Sequence, residues 1–162
     1  SDVYKRQILY CSAEANSVYQ ADVVKAALEE KGVTVTVYTF ADSNDVATVT
    51  QTACAENDAL YIPTDNTAAS CTEAINNVAE PAGVPIVAGE EGICKGCGIA
   101  TLSIDYYELG KTTGAMAAKI LTGEANVSEM PIEYYQNPVK KYDVARCEAL
   151  GITVPADYVA IG

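Results

Sequence analysis

Short apolar runs alternate with stretches of helical spacing along most of this chain. Residues 8–11 are apolar and end at the polar Ser12. Residues 18–31 then place Val23, Val24, Ala27 and Leu28 at helical spacing, with Gly32 as the cap. Residues 33–40 alternate Val and Thr, which suits a strand with one more polar face. Asp42-Ser43-Asn44-Asp45 is a helix start that residues 46–55 continue. Three further strands follow at 59–63, 84–88 and 99–104, with a helix at 67–79 between the first two. Residues 107–121 form a longer helix with Leu109, Ala117, Ile120 and Leu121 on its apolar side. Beyond it come a short strand at 131–134, a polar stretch, a short helix near 144–150 and a terminal strand near 158–161.

Strands separated by helices of ten to fifteen residues imply right-handed βαβ crossovers and a parallel sheet. The first strands are short and mostly apolar, as expected when helices cover both faces. The fold class is therefore α/β, a three-layer α/β/α sandwich with a parallel sheet. Residues 1–7, SDVYKRQ, do not fit this pattern: they are polar and run into a strand without a turn signal. They read as a non-native assembly scar and are set apart from the fold, in which case the protein continues upstream.

Composition narrows the function classes. The 162 residues suit a single domain with a real core. A net charge of −12 leaves no basic stripe to neutralise phosphates, so no nucleic-acid partner is expected. No apolar run approaches the ~20 residues that span a bilayer, and no secretory signal is recognisable. Six cysteines occur, of which Cys11, Cys54 and Cys71 lie within apolar patterns and read as small buried hydrophobes. Cys94 and Cys97 lie in what reads as a Gly-rich loop, either as a local disulfide or as a free pair. Zinc would need two further ligands and the chain has no histidine, so neither metal nor cofactor is expected.

In an open parallel sheet the ligand sits beyond the carboxyl ends of the strands. The residues there are Ser12, Glu14, Asn16 and Ser17, then Asp42 and Ser43, then Thr64, Asp65, Asn66 and Thr67, then Glu90 and Glu91, and finally Asp105. Many such residues are helix N-caps, the reading preferred for 42–45 and weighed equally for Asn66 and Thr67. Carboxylates on this edge suit an ammonium group, while hydroxyls and helix amino termini suit a carboxylate; together they suggest a zwitterion such as an amino acid. Enzyme chemistry is not indicated. There is no histidine, no G-x-S-x-G elbow and no G-x-G-x-x-G or P-loop cradle. A phospho-acceptor reading of Asp65 fails because Glu14 alone replaces the acidic pair it would need.

The stretches ILYCSAEANSVYQADVVKAALEEKG, ADSNDVATVTQTA, ALYIPTDNTAAS, GVPIVAGEEG and IATLSIDYYELGKTTGAMAAKIL resemble ABC transporter substrate-binding proteins of the tryptophan/tyrosine-uptake type. S-x-E-x-N-S, P-T-D-N-T and I-D-Y-x-x-L-G in that order carry the resemblance, which covers residues 8–161. It implies a type I periplasmic-binding-protein fold, two Rossmann-like lobes that clamp a ligand between them, of which this chain is the carboxy-terminal half. Residues 8–104 would be the second lobe, and 105–162 a crossover helix and tail packing partly on the missing first lobe.

The resemblance further implies an extracytoplasmic receptor, lipid-anchored or periplasmic, for an ABC importer. Its ligand would be an aromatic amino acid and its partners a membrane permease with a cytoplasmic ATPase behind it. The implied ligand-facing loops are 12–17, 64–67, 89–91 and the 105–106 hinge. Asp65 is expected to meet the ammonium, with Ser12, Asn16, Ser17 and Thr67 holding the carboxylate. Asp105 is a second acidic candidate, and Tyr106 and Tyr107 could stack on an aromatic side chain. The alternatives are the same lobe in a chemoreceptor or transcription regulator, and a surface adhesin.

Overall fold

The computed structural model describes residues 5–161. Seven strands make one sheet: β1 (Lys5–Cys11), β2 (Thr34–Phe40), β3 (Ala59–Ile62), β4 (Ile86–Ala88), β5 (Ala100–Ser103), β6 (Val139–Tyr142) and β7 (Val159–Ala160). Their spatial order is β2-β1-β3-β4-β5-β6-β7. The first five are mutually parallel, β6 runs antiparallel to β5, and β7 is parallel to β6. The expected parallel sheet is therefore present, extended by an antiparallel return at one edge. Because β1 lies between β2 and β3, the chain reverses its direction of travel across the sheet there. The carboxyl ends of β1 and β3 flank that switch point.

Period-two alternation on β1 divides the core. Leu9 and Cys11 face one side, where they join Leu60, Ile62 and Ile86 from the neighbouring strands. Four helices cover that side: α2 (Val46–Glu56), α3 (Asn66–Ser70), α4 (Thr72–Ala79) and α5 (Glu91–Cys97). They bring in Val46, Ala53, Ala68, Ile75 and Ile93, each fully buried. Ile8 and Tyr10 face the other side and pack with Ala21 of α1 (Ala15–Glu29). Fully burying side chains of this size contributes roughly 1.5–3 kcal/mol each, and the larger cluster carries most of that.

Four features depart from the sequence pattern. First, β1 begins at Lys5 and not at Ile8. Lys5 to Gln7 pair with Thr34 to Thr36, the Lys5 amide donates to Asp58 Oδ2 at 3.0 Å, and Gln7 is 2% exposed. Ladder pairing uses backbone groups, so a polar side-chain pattern does not prevent it. These three residues, set apart in the sequence, are part of the sheet; residues 1–4 of that segment lie outside the described residues.

Second, residues 91–97 are helix and not Gly-rich loop. The two in-helix glycines misled the pattern. Gly96 serves contact: a Cβ there would lie 2.4 Å from Thr72 of α4. The helix turns Cys94 and Cys97, three residues apart, into the core. All six cysteines are free thiols, so the pair is unbridged, and five of the six are buried with Cys71 partly so. Burial pushes both the Cys94 and Cys97 thiols up to about 12.

Third, the strand expected at 131–134 is absent and Ile132 and Tyr134 are exposed. The strand lies instead in the stretch read as polar, where β6 pairs Val139 with Ser103 and Tyr142 with Ala100. Fourth, the segment after residue 104 is not of one kind. The helix α6 (Tyr106–Leu121) buries none of its residues, and Leu121 is 87% exposed. The tail returns to the sheet through β6, α7 (Val144–Ala149) and β7. Arg146 of α7 fixes that return. Its guanidinium donates to Asn76 Oδ1 at 3.0 Å and to the Lys95 and Gly96 carbonyls at 3.1 and 2.7 Å, and it pairs with Asp143 at 3.0 Å.

Candidate functional site

The loops at the switch point are locked to one another. Glu14, just before α1, sends its carboxylate across to the start of α3. There Oε2 accepts from the Asn66 amide and Nδ2, and Oε1 accepts from the Thr67 amide and Oγ1, at 2.8–3.1 Å. Desolvation pushes the Glu14 carboxyl up, but these four bonds outweigh it and hold the group below its ordinary 4.5. Asp65 caps α3 with Oδ1 on the Ala68 amide at 2.8 Å, while Oδ2 accepts from the Cys11 amide at 2.7 Å. It is 1% exposed. Neither of its oxygens reaches the cleft, so the ammonium partner expected from the sequence is here a buried tie between β1 and α3.

The donors expected to hold a carboxylate are engaged in the same way. Asn16 Nδ2 and Ser17 Oγ both donate to the Thr64 carbonyl, at 2.9 and 3.1 Å, and Ser17 is fully buried. Ser12 Oγ donates to the Phe40 carbonyl at 3.3 Å. The Thr64 amide donates to Gln20 Oε1 at 3.1 Å, and Thr64 Oγ1 donates to the Gly89 carbonyl at 3.4 Å. Gly89 lies against this loop so closely that a Cβ would fall 2.5 Å from the Thr64 nitrogen. Asp42 takes the Asn44 amide in a local turn, and Asp45 precedes α2 without a side-chain cap bond. The expectation of capping at 42–45 is thus met as a turn bond only.

A second group gathers where the chain leaves β5 and returns into β6. Here a cavity of about 440 Å³ is walled by Ile104, Tyr106, Tyr107, Tyr135 and Val139, with Glu90, Glu91, Asp105 and Lys141 at its polar positions. That volume lies within the ~300–1,000 Å³ of typical small-molecule sites. Glu90 caps α5, accepting from the Gly92 amide at 2.7 Å and from the Ile93 amide. Asp105 caps α6 through Oδ1 alone, which accepts from the Tyr107 and Glu108 amides at 2.9 and 3.1 Å. Glu91 pairs with Lys141 at 2.5 Å. Burial, with the Glu90 carboxylate nearby, pushes the Tyr106 phenol up.

Of the residues singled out in the sequence, Glu90, Asp105 and Tyr106 line this cavity, as do Glu91 and Tyr107. Ser12, Glu14, Asn16, Ser17, Thr64, Asp65, Asn66 and Thr67 lie outside it in the interlocked loops, where Thr64 bonds Gly89, the residue before the cavity-lining Glu90. Gly92, Ser103, Ile104, Tyr135, Val139 and Lys141 complete the cavity and were not picked out from the sequence as site residues. Val139 and Tyr142 were the weak local signal of a strand there, since the four residues do not alternate. Apolar walls, tyrosine edges and a few charges fit reversible capture of a small amphipathic molecule. Among the described residues no group of three or more His, Cys, Asp or Glu could hold a metal, and no helix is long and apolar enough to cross a membrane.

The family model for ABC transporter substrate binding proteins matches residues 2–160. A tyrosine-binding protein of Clostridioides difficile (strain R20291) is 30% identical over 125 residues, covering 77% of this chain and 36% of that protein. Among solved structures, an ABC domain from Streptococcus pneumonia in complex with L-Trp is 28% identical with a TM-score of 0.88, covering 96% of this chain and 52% of that one. A conserved domain protein from Vibrio cholerae has a TM-score of 0.89 at 27% identity, covering 98% and 55%. The ligand-free, open structure of a substrate binding protein with adhesive properties from Clostridium difficile has a TM-score of 0.75 at 30% identity, covering 99% and 56%. The chain thus spans about half the length of the solved structures it matches.

Proposed function

Since the chain belongs to the ABC transporter substrate-binding protein family, whose members bind solutes and are not enzymes, we propose that it forms one lobe of an extracytoplasmic receptor for an importer, with an aromatic amino acid as ligand. The observation that carries this reading is the cavity at the β5–α6 crossover. It combines three tyrosines with carboxylates and one lysine at the carboxyl edge of a parallel sheet. Two relatives support the ligand class, one named for tyrosine and one holding L-Trp.

The mechanism is hinge closure. A second lobe closes over this edge, and contacts to the ligand from both sides shift the population to the closed state. The uncovered helix α6 is the natural seat for that lobe, since it buries none of its own residues in this chain. Within this lobe, the Glu14, Asp65 and Thr64 bonds hold the loops at the switch point rigid, and the cap bonds of Asp105 and Glu90 fix the starts of α6 and α5 that line the cavity. The closed receptor then delivers its solute to a membrane permease.

The test is a thermal-shift screen of the full-length protein, both lobes present, against the twenty common L-amino acids. At about a hundred times its dissociation constant a ligand adds roughly 2.7 kcal/mol of stability, a rise of several degrees. A shift with tyrosine, tryptophan or phenylalanine and not with small or charged amino acids is the expected result. No shift with any of the twenty would remove the amino-acid ligand.

A further inference from the structure

We propose that Lys141 reads the carboxylate of the bound amino acid, with the second oxygen of Asp105 as the ammonium partner, so that the cavity accepts only the zwitterion. This rests on the amino-acid reading and makes it specific. The hydroxyl and amide donors near the switch point are spent on the fold: Ser12, Asn16, Ser17 and Thr67 each donate to a protein oxygen. Lys141 is the one cation among the described residues lining the cavity. Its ammonium carries three donors, of which Glu91 takes one, and the remaining two can meet a carboxylate. The Glu91 pair, with side-chain exposures of 28% and 36%, holds the ammonium in place and is kept when the ligand arrives.

The acceptor side is equally restricted. Glu90 has both oxygens on backbone amides, and Glu91 is on Lys141. Asp105 uses only Oδ1, and among the described residues nothing bonds its Oδ2. Lys141 and Asp105 line the same cavity. In the β5–β6 ladder Lys141 pairs with Thr101, while Asp105 lies two residues beyond the Val139–Ser103 pair, so the two charges reach the cavity from separate positions along it. Strand alternation turns the adjacent Lys140 to the opposite face, where it pairs with Asp157 at 2.5 Å. Two neighbouring lysines are thereby given different tasks, and Lys140 supplies an internal control.

The experiment is calorimetric titration of the full-length protein with L-tryptophan, tryptamine and indole-3-propionate. The proteins compared are the wild type and the Lys141→Met, Lys141→Arg and Lys140→Met variants, each shown folded by circular dichroism. Wild type should bind tryptophan at least a hundredfold more tightly than either half-ligand. Lys141→Met should lose tenfold or more toward tryptophan and little toward tryptamine, which has no carboxylate to read. Lys141→Arg should recover most of the loss, and Lys140→Met should match wild type. A Lys141→Met variant that keeps wild-type affinity and discrimination would overturn the assignment while leaving the amino-acid receptor standing. If tryptophan, tyrosine and phenylalanine all fail to bind the wild type, the aromatic amino-acid reading falls and takes this assignment with it.

Discussion

Replacing Asp65 with alanine separates two descriptions of the same carboxylate, an ordinary helix cap and a buried tie across the switch point. A cap alone costs about 1 kcal/mol when removed. Asp65 does more, because Oδ1 takes the Ala68 amide and Oδ2 takes the Cys11 amide, at 2.8 and 2.7 Å. Hydrogen bonds to an ionised group are worth about 1.5–3 kcal/mol each, and a buried donor left without a partner keeps its desolvation cost. Asp65 is 1% exposed, Cys11 1% and Ala68 0%, so water has no ready access to either freed amide. The loss from Asp65→Ala should therefore be about 3–5 kcal/mol, a large fraction of the roughly 5–15 kcal/mol that a domain has. Asp65→Asn keeps one acceptor but turns an NH₂ toward the other amide, and should lose about 1–3 kcal/mol. Urea unfolding followed by far-UV circular dichroism measures both, with an unchanged slope showing that the transition is comparable. A loss below about 1.5 kcal/mol for Asp65→Ala would refute the double tie and leave only the cap.

The remaining predictions concern the loops and the thiols. Because its bonds depress the Glu14 carboxyl in the folded state, Glu14 contributes stability that is present above the ordinary 4.5 and is lost as pH falls through the lower folded value. Urea midpoints measured from pH 7 downward should show Glu14→Gln already weakened at neutral pH and less acid-sensitive than wild type. Gly89→Ala would drive a Cβ to 2.5 Å from the Thr64 nitrogen and 2.6 Å from the Pro63 carbonyl carbon. Overpacking of this kind costs about 1–3 kcal/mol, readable as a lower urea midpoint. Burial raises Cys94 and Cys97 to about 12, so native protein at pH 8 should leave both unlabelled by a thiol reagent, with Cys71 reacting first and all six reacting in urea. For the same two thiols the sign reverses relative to Glu14. Their contribution is complete below the ordinary 9 and is lost as pH climbs toward 12, so alkaline unfolding titrations should show a midpoint that falls over that range.

Local sequence determined the elements whose patterns are complete within a few residues. The apolar run at the end of β1, the Val/Thr alternation of β2 and the helical spacing within α1 and α6 each state their own conformation, because period and propensity act between near neighbours. The alternation of these elements fixed the α/β class and placed the loops at the carboxyl edge. Glu90 and Asp105 were legible as candidates on that ground, while Tyr106 came only through the family resemblance. Local pattern could not say which oxygens remain available, since Asp65 and Glu14 are spent on amides more than fifty residues away in sequence. Nor could it find α5, where Gly96 is required by contact with Thr72. β6 is the clearest case of tertiary decision. Val139-Lys140-Lys141-Tyr142 has little strand character of its own and becomes a strand because the open edge of β5 offers it hydrogen-bond partners. That pairing, set by backbone groups and not by side-chain pattern, is what carries Lys141 into the cavity.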